Sequence, residues 1–143
     1  MEYIGFTEVL GGAEGVPEKI SSRMDLIELS KKGISKDALL RLVKYLNLSI
    51  SQMAELLAIA ERTIQRYTLK KNFNRIVSEQ ILQITEVAAR GTQVFEDKEK
   101  FLSWMKQPNK ALSNNTPISL LHSRFGIEMV LDELGRIEYG VYS

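Results

Sequence analysis

Ser51-Gln52-Met53-Ala54-Glu55-Leu56-Leu57-Ala58-Ile59-Ala60-Glu61-Arg62-Thr63-Ile64-Gln65-Arg66 decides the fold. The spacing predicts two short helices, Gln52 to Leu57 and Glu61 to about Leu69, joined tightly at Ala58-Ile59-Ala60 as a helix-turn-helix. Ala54 is small where the two helices would cross closely. Leu57, Ile59 and Ile64 would lock the pair together. The second helix then projects Arg62, Thr63, Gln65 and Arg66 outward. Arginine and glutamine can make paired hydrogen bonds to guanine and adenine edges in the major groove. Ser51 and Gln52 stand where the first helix can bond phosphates. A structural pair of helices could carry the same apolar spacing. The paired arginines and the basic link Lys70 to Arg75 that follows, with Lys70 and Lys71 suited to phosphates, favour the DNA reading. Ala58 holds a turn position that glycine often fills, so a positive φ there would carry strain.

Upstream, Ser35 caps a helix with Ala38, Leu39, Leu42, Val43 and Leu46 at helical spacing, ended by Asn47. Before it, Asp25 to Lys32 reads as a short helix stopped by Gly33. Met1 to Glu18 contains Gly5, Gly11, Gly12, Gly15 and Pro17 without a helical period, and a mobile or loosely docked arm is expected. Downstream, Ser78 is expected to cap a helix to Arg90 that carries Ile81, Leu82, Ile84, Val87 and Ala88, with Gly91 terminating it. Asp97 can cap Lys98 to Met105, and Pro108 stops that helix. Thr116-Pro117 starts another, to about Arg124. Gly126 should break the chain before a last helix, Ile127 to Ile137, that presents Ile127, Val130, Leu131 and Leu134. Trp104 reads as core and Pro108-Asn109 as a turn. No segment alternates convincingly, so strands are not expected.

The fold class is therefore all-α, with about seven helices: a helix-turn-helix bundle followed by a small helical C-terminal domain. Gly91 to Asp97 is the expected internal boundary, giving an arm over 1–22, a DNA-binding domain over 23–93 and a C-terminal domain over 94–143.

Composition narrows the function. The chain has 143 residues, 44% hydrophobic and 26% charged, enough for a core and ordinary for a soluble protein. The absence of cysteine excludes disulfide scaffolds, cysteine nucleophiles and zinc knuckles. His122 is the sole histidine and cannot form a multi-histidine metal site. Asp132 and Glu133 are neighbours on a helix, diverge by about 100°, and make a poor acid–base couple. With no phosphate loop and no nucleophile beside a base, neither enzyme activity nor a cofactor or metal is expected. No signal peptide is visible, and no apolar run approaches the ~20 residues of a membrane helix, so a cytoplasmic chain without membrane contact is expected.

Charge is divided. Arg62, Arg66, Lys70, Lys71 and Arg75 stand against Glu61 alone in the middle of the chain, whereas Glu128, Asp132, Glu133 and Glu138 stand against Arg136 at its end. A basic middle and an acidic end invite two different partners. A single helix-turn-helix binds DNA tightly when doubled on a palindrome, so a homodimer is expected.

The C-terminal part carries a recognisable set of residues: Trp104, Pro108-Asn109, Ala111-Leu112, Thr116-Pro117, Leu120-Leu121, Gly126, and the ending Leu134-Gly135-Arg136-Ile137-Glu138-Tyr139-Gly140-Val141-Tyr142-Ser143. From about Val94 onward it resembles the toxin-binding domain of Xre/MbcA/ParS-type antitoxins. Gly33-Ile34-Ser35, the stretch Arg62-Thr63-Ile64-Gln65-Arg66-Tyr67 and the Ser78 to Arg90 helix resemble the Xre-like half of the same family. The resemblance covers about Asp25 to Ser143. It implies an antitoxin whose partner is a RES-domain toxin that consumes NAD or transfers ADP-ribose from it. It also implies docking of the C-terminal domain over the toxin's active site, with the tail reaching toward the NAD pocket, and repression of the shared operon through double-stranded operator DNA. Carried onto this chain, the toxin-facing residues would be Arg136, Glu138, Tyr139, Val141, Tyr142 and Ser143. The ring of Tyr142 and the terminal carboxylate suit an adenine or nicotinamide seat and a phosphate-binding arginine. The rival reading is a stand-alone helix-turn-helix regulator whose C-terminal segment only dimerises.

Overall fold

A computed structural model describes residues 3–11 and 19–140. Along them run α1 (Ile4–Val9), α2 (Arg23–Lys32), α3 (Lys36–Tyr45), α4 (Ile50–Leu57), α5 (Glu61–Arg66), α6 (Arg75–Phe95), α7 (Lys98–Met105) and α8 (Arg124–Glu138), with 3-10 turns at Lys110–Leu112 and Pro117–His122. The all-α expectation holds. The β pairing among the described residues amounts to two isolated bridges, Ser35 with Asn72 and Asn109 with Asn115.

The helix starts follow from side-chain caps. Ser22, Ser35, Ser49, Asn74, Asp97 and Ser123 each accept a hydrogen bond from a backbone N–H in the first turn of the following helix. Each such bond satisfies a donor that the helix leaves orphaned, a contribution of about 1 kcal/mol. The cap of α6 is Asn74, not Ser78 as expected. Ser78 lies one turn inside the helix and is fully buried. Its hydroxyl accepts the Ile34 N–H at 2.8 Å and donates to the Phe73 carbonyl at 3.1 Å, so it ties the α2–α3 junction to α6.

α6 is the axis of the molecule. Its 21 residues bury Ile81, Leu82, Ile84, Thr85, Val87 and Ala88, so more than one stripe of the helix is covered. α1, α2, α4, α7 and α8 all pack on it. The Arg23–Glu86 ion pair (3.0 Å) braces α2, and the Glu86 carboxylate holds the Arg23 guanidinium charged above its ordinary range. The core is one continuous cluster: Leu39, Leu42, Met53 and Ile64 from the helix-turn-helix half meet Phe101, Met105, Leu121, Val130 and Leu134 from the C-terminal half through α6.

Three local expectations are corrected. First, Met1 to Glu18 was expected to lack helix, yet Ile4–Val9 is helical, and Phe6, Val9 and Leu10 are buried in the core. The i, i+3, i+4 spacing of those three residues is a helical period too short to stand out among the glycines. Residues 12–18 lie outside the described part. Second, α6 does not stop at Gly91 but runs on to Phe95, so the expected boundary at 93/94 falls inside a helix. Gly91 is buried there because the Phe101 ring lies against its Cα, where a methyl group would overlap it. Third, Gly126 does not break the chain; it sits in the first turn of α8, pressed on the Leu120 carbonyl, and the segment before it is a 3-10 turn.

Candidate functional site

α4 and α5 form the expected pair. Ser49 and Gln52 make a capping box: the Ser49 hydroxyl accepts the Gln52 N–H at 3.0 Å, and Gln52 Oε1 accepts the Ser49 N–H at 2.8 Å. The Gln52 amide nitrogen is left over as a donor at the start of α4, beside exposed Ser51. Met53, Ala54 and Leu57 face the core. The turn is made at Ala58, which adopts a left-handed conformation (φ 55°, ψ 41°). The Ile59 N–H then bonds back to the Ala54 carbonyl at 3.1 Å, closing the helix end. The strain anticipated for alanine at this turn is therefore present.

α5 is anchored by Ile64, 1% exposed, and turns Arg62, Gln65 and Arg66 to solvent, with Thr63 half-buried. It ends at Arg66, earlier than the Leu69 expected, because Tyr67 turns extended to stack on buried Phe73 with ring centroids 5.0 Å apart. Gln65 Nε2 donates to Glu61 at 3.1 Å, which leaves its amide oxygen facing out. The basic link is held in place by the backbone. Lys36 N–H bonds the Lys71 carbonyl and Asp37 N–H the Leu69 carbonyl, both at 2.9 Å, and Phe73 N–H bonds the Ile34 carbonyl at 2.8 Å. Lys70 is exposed, and the Lys71 ammonium lies 5.4 Å from the centre of the Tyr67 ring. Arg62, Gln65, Arg66, Lys70 and Lys71 are thus all exposed within residues 61–71, where Glu61 is the one acidic residue.

Lys36 was not anticipated. Its ammonium donates to the carbonyls of Gln65 (3.3 Å) and Tyr67 (2.9 Å), capping the end of α5 from the first turn of α3. A cation is favoured at that end by the helix dipole. The sequence signal for it is only a lysine after a capping serine, which is commonplace.

At the other end of the chain, Arg136 is ion-paired with Glu133 at 2.8 Å, and Glu138 with Arg90 of α6 at 3.0 Å. Both expected toxin-facing charges therefore have partners within the chain, although Arg136 keeps 41% of its side chain exposed. Tyr139 is 77% exposed, so it does not fold onto its own core. Val141, Tyr142 and Ser143 lie outside the described residues. Phe125 (79% exposed) and Met129 (40%) also stand on the outside of α8 and escaped the sequence reading. Their signal was available, because both lie opposite the buried stripe Ile127, Val130 and Leu134. The Asn109 side chain accepts the Ala111 N–H at 2.8 Å, the expected turn, and half-buried Trp104 packs on Phe95 and Phe101.

A left-handed turn between two short helices, the second aiming arginines and glutamine at solvent, defines a helix-turn-helix protein with a second helical unit built on the same axis. Residues 25–85 match the antitoxin Xre-like helix-turn-helix domain, and residues 90–140 match the antitoxin Xre/MbcA/ParS C-terminal toxin-binding domain. Among similar proteins, an antitoxin Xre of Yersinia enterocolitica is 30% identical over 120 residues, covering 82% of this chain and 81% of that protein. An antitoxin Xre of Photorhabdus laumondii is 32% identical over 105 residues, covering 70% and 71%. A chain in the crystal structure of the M. tuberculosis MbcT–MbcA toxin–antitoxin complex shares the fold, with a TM-score of 0.55 at 15% identity over 87% of this chain and 100% of that one. The chain belongs to the Xre/MbcA/ParS family of antitoxins.

Proposed function

We propose that this antitoxin neutralises a RES-domain toxin, one that consumes NAD or transfers ADP-ribose from it, by laying its C-terminal domain over the toxin's active site. On the same reading it is a cytoplasmic homodimer that represses its own operon through α5, with Arg62, Gln65 and Arg66 on base edges and Ser51, Gln52, Lys70 and Lys71 on phosphates. It acts by covering and gripping, with no chemistry of its own. The observation that carries the reading is the separation of two exposed ends on one core: the arginine face of α5, and Tyr139 beside the chain end on α8. The family's toxin-binding domain spans the second of these, and the solved neighbour comes from a toxin–antitoxin complex.

Co-expression tests it. The full chain should co-purify with the RES-domain product of the adjoining gene and restore growth against it. Removing Val141-Tyr142-Ser143 should abolish that rescue. Full rescue by the shortened chain refutes the role of the tail, and failure to co-purify refutes the neutralisation reading.

A further inference from the structure

α5 does little to hold itself in place. It has six residues, of which Ile64 alone is buried, and Ala60 before it supplies no side-chain cap. A helix this short leaves most of its carbonyls without an intrahelical partner and is marginal without tertiary support. Its carboxyl end gets that support from Lys36. The ammonium donates to the Gln65 carbonyl at 3.3 Å and to the Tyr67 carbonyl at 2.9 Å. These two carbonyls straddle Arg66, so the bonds fix the backbone on both sides of one outward-facing arginine and at outward-facing Gln65. The lysine itself stands on a firm base. Ser35 caps α3 by accepting the Ala38 N–H at 3.2 Å, the Lys36 N–H bonds the Lys71 carbonyl at 2.9 Å, and α3 buries Ala38, Leu39, Leu42 and Val43. Lys36 is half-buried, whereas Lys70 and Lys71 are exposed. Two of its three ammonium donors are committed to the end of α5.

We propose that Lys36 is the positioning residue of operator readout: by tying the end of α5 to the start of α3 it sets where Gln65 and Arg66 stand over the bases, without itself touching DNA. The inference rests on the reading that α5 enters the major groove, and adds to it the side chain that keeps the helix in register there. Paired hydrogen bonds to a base edge hold only within narrow limits of distance and angle. A lysine on a phosphate is a point charge on a flexible stem and tolerates a shift of its backbone. Loosening the end of α5 therefore costs discrimination between sequences before it costs attraction to any duplex. Removing a phosphate contact does the reverse: it weakens binding to all duplexes alike and lowers the salt slope. The two roles open to a lysine beside a recognition helix thus leave opposite signatures.

The test uses two variants of the full chain. Lys36→Met keeps the stem and removes the donors, and Lys36→Arg restores donors that can meet two carbonyls. Wild type and both variants are titrated, at several salt concentrations, onto a duplex carrying the promoter of the chain's own operon and onto a scrambled duplex of equal length and composition. Hydrogen exchange of each protein without DNA follows the peptide over residues 61–68. Lys36→Met should bind the promoter duplex about tenfold more weakly, the scale of one paired base contact. Its binding to the scrambled duplex and its salt slope should stay at wild type, and faster exchange should be confined to that peptide. Lys36→Arg should restore most of the promoter affinity and of the protection. If Lys36→Met exchanges no faster, or exchanges faster yet keeps full promoter preference, the tie does not serve readout and the proposal is overturned. If both duplexes weaken equally and the salt slope falls by about one unit, Lys36 is itself a phosphate contact, which overturns it as well. If wild type does not prefer the promoter duplex, the operator reading falls and this inference with it. Should circular dichroism show Lys36→Met unfolded, Lys36→Gln, shorter and uncharged, carries the same comparison.

Discussion

Gly91→Ala sets two opposed terms against each other near the C-terminal end of α6. Alanine is worth about 1 kcal/mol over glycine inside a helix. Yet a Cβ at Gly91 would stand 2.6 Å from Phe101 Cζ, with Cδ1 and Cε1 of the ring nearer still. Carbon atoms normally meet at about 3.5–4.0 Å. The ring cannot swing aside easily: Phe101 is fully buried and packed between Phe95 (6.3 Å between ring centroids) and Trp104 (6.5 Å). Overpacking of this kind costs about 1–3 kcal/mol, and so severe an overlap belongs at the top of that range. The clash wins by about 2 kcal/mol, which for a chain of this size lowers the melting temperature by about 4–8 °C. Calorimetry measures it directly. A cycle with Phe101→Leu isolates the cause, because the smaller side chain should recover at least about 1 kcal/mol of the Gly91→Ala loss. A glycine that merely ended a helix would show no such coupling. A raised melting temperature in Gly91→Ala, or strict additivity in the cycle, refutes the packing argument.

The remaining predictions concern the helix-turn-helix. Arg62→Ala and Arg66→Ala should each weaken operator binding by about 1–3 kcal/mol and relax sequence preference if the side chain grips a base edge, read by gel shift against altered operators. Undiminished binding by the double variant moves recognition off α5. Lys70→Ala should weaken binding uniformly and reduce the slope of log affinity against log salt by about one unit, the signature of a single phosphate contact. Ala58→Gly should stabilise the fold, since an L-residue in the left-handed region costs roughly 1–2 kcal/mol and glycine's extra chain entropy takes back roughly 0.5–1. The net gain is about 0.5–1 kcal/mol in a denaturant melt, with operator binding unchanged.

What the sequence revealed and what it hid follow from the range of the interactions. Capping, turn chemistry and apolar period act within about one helical turn, so Ser35, Asp97, the Asn109 turn and the pairing of α4 with α5 could be read from neighbours alone. The left-handed turn at Ala58 was legible for the same reason, since the apolar pattern changes phase there whatever residue makes the turn. Glycines misled because their role depended on contacts distant in sequence. Gly91 is set by Phe101 across the α6–α7 turn, and Gly126 by the Leu120 carbonyl of the preceding 3-10 turn, and both look like breakers until those partners are known. Ser78 had a cap's chemistry but served Ile34, far upstream. At the site, Arg62, Gln65 and Arg66 were legible as the polar face of an amphipathic helix. Lys36 was not, because it reaches α5 only through the tertiary fold. The ion pairs of Arg136 and Glu138 are one local and one distant, and only the i, i+3 pair with Glu133 could have been read from spacing.

The placement of α6 determines how the two proposed activities can be separated. Ile81, Ile84, Val87 and Ala88 belong to the same buried cluster as Ile64 of α5 and Val130 and Leu134 of α8. A cavity cut in α6 therefore weakens the support of both exposed ends together, and a loss of operator binding or of toxin binding after such a change says nothing about either surface. Arg62 and Arg66 project from the far side of Ile64, and Phe125 and Met129 from the far side of Ile127 and Val130, outside that shared cluster. Changes at Arg62, Arg66 and Phe125 remove surface chemistry and leave the packing intact, whereas Met129 is more than half covered. On the proposed reading, Arg62 and Arg66 are positions at which operator binding can be lost without cutting into the core that also supports α8.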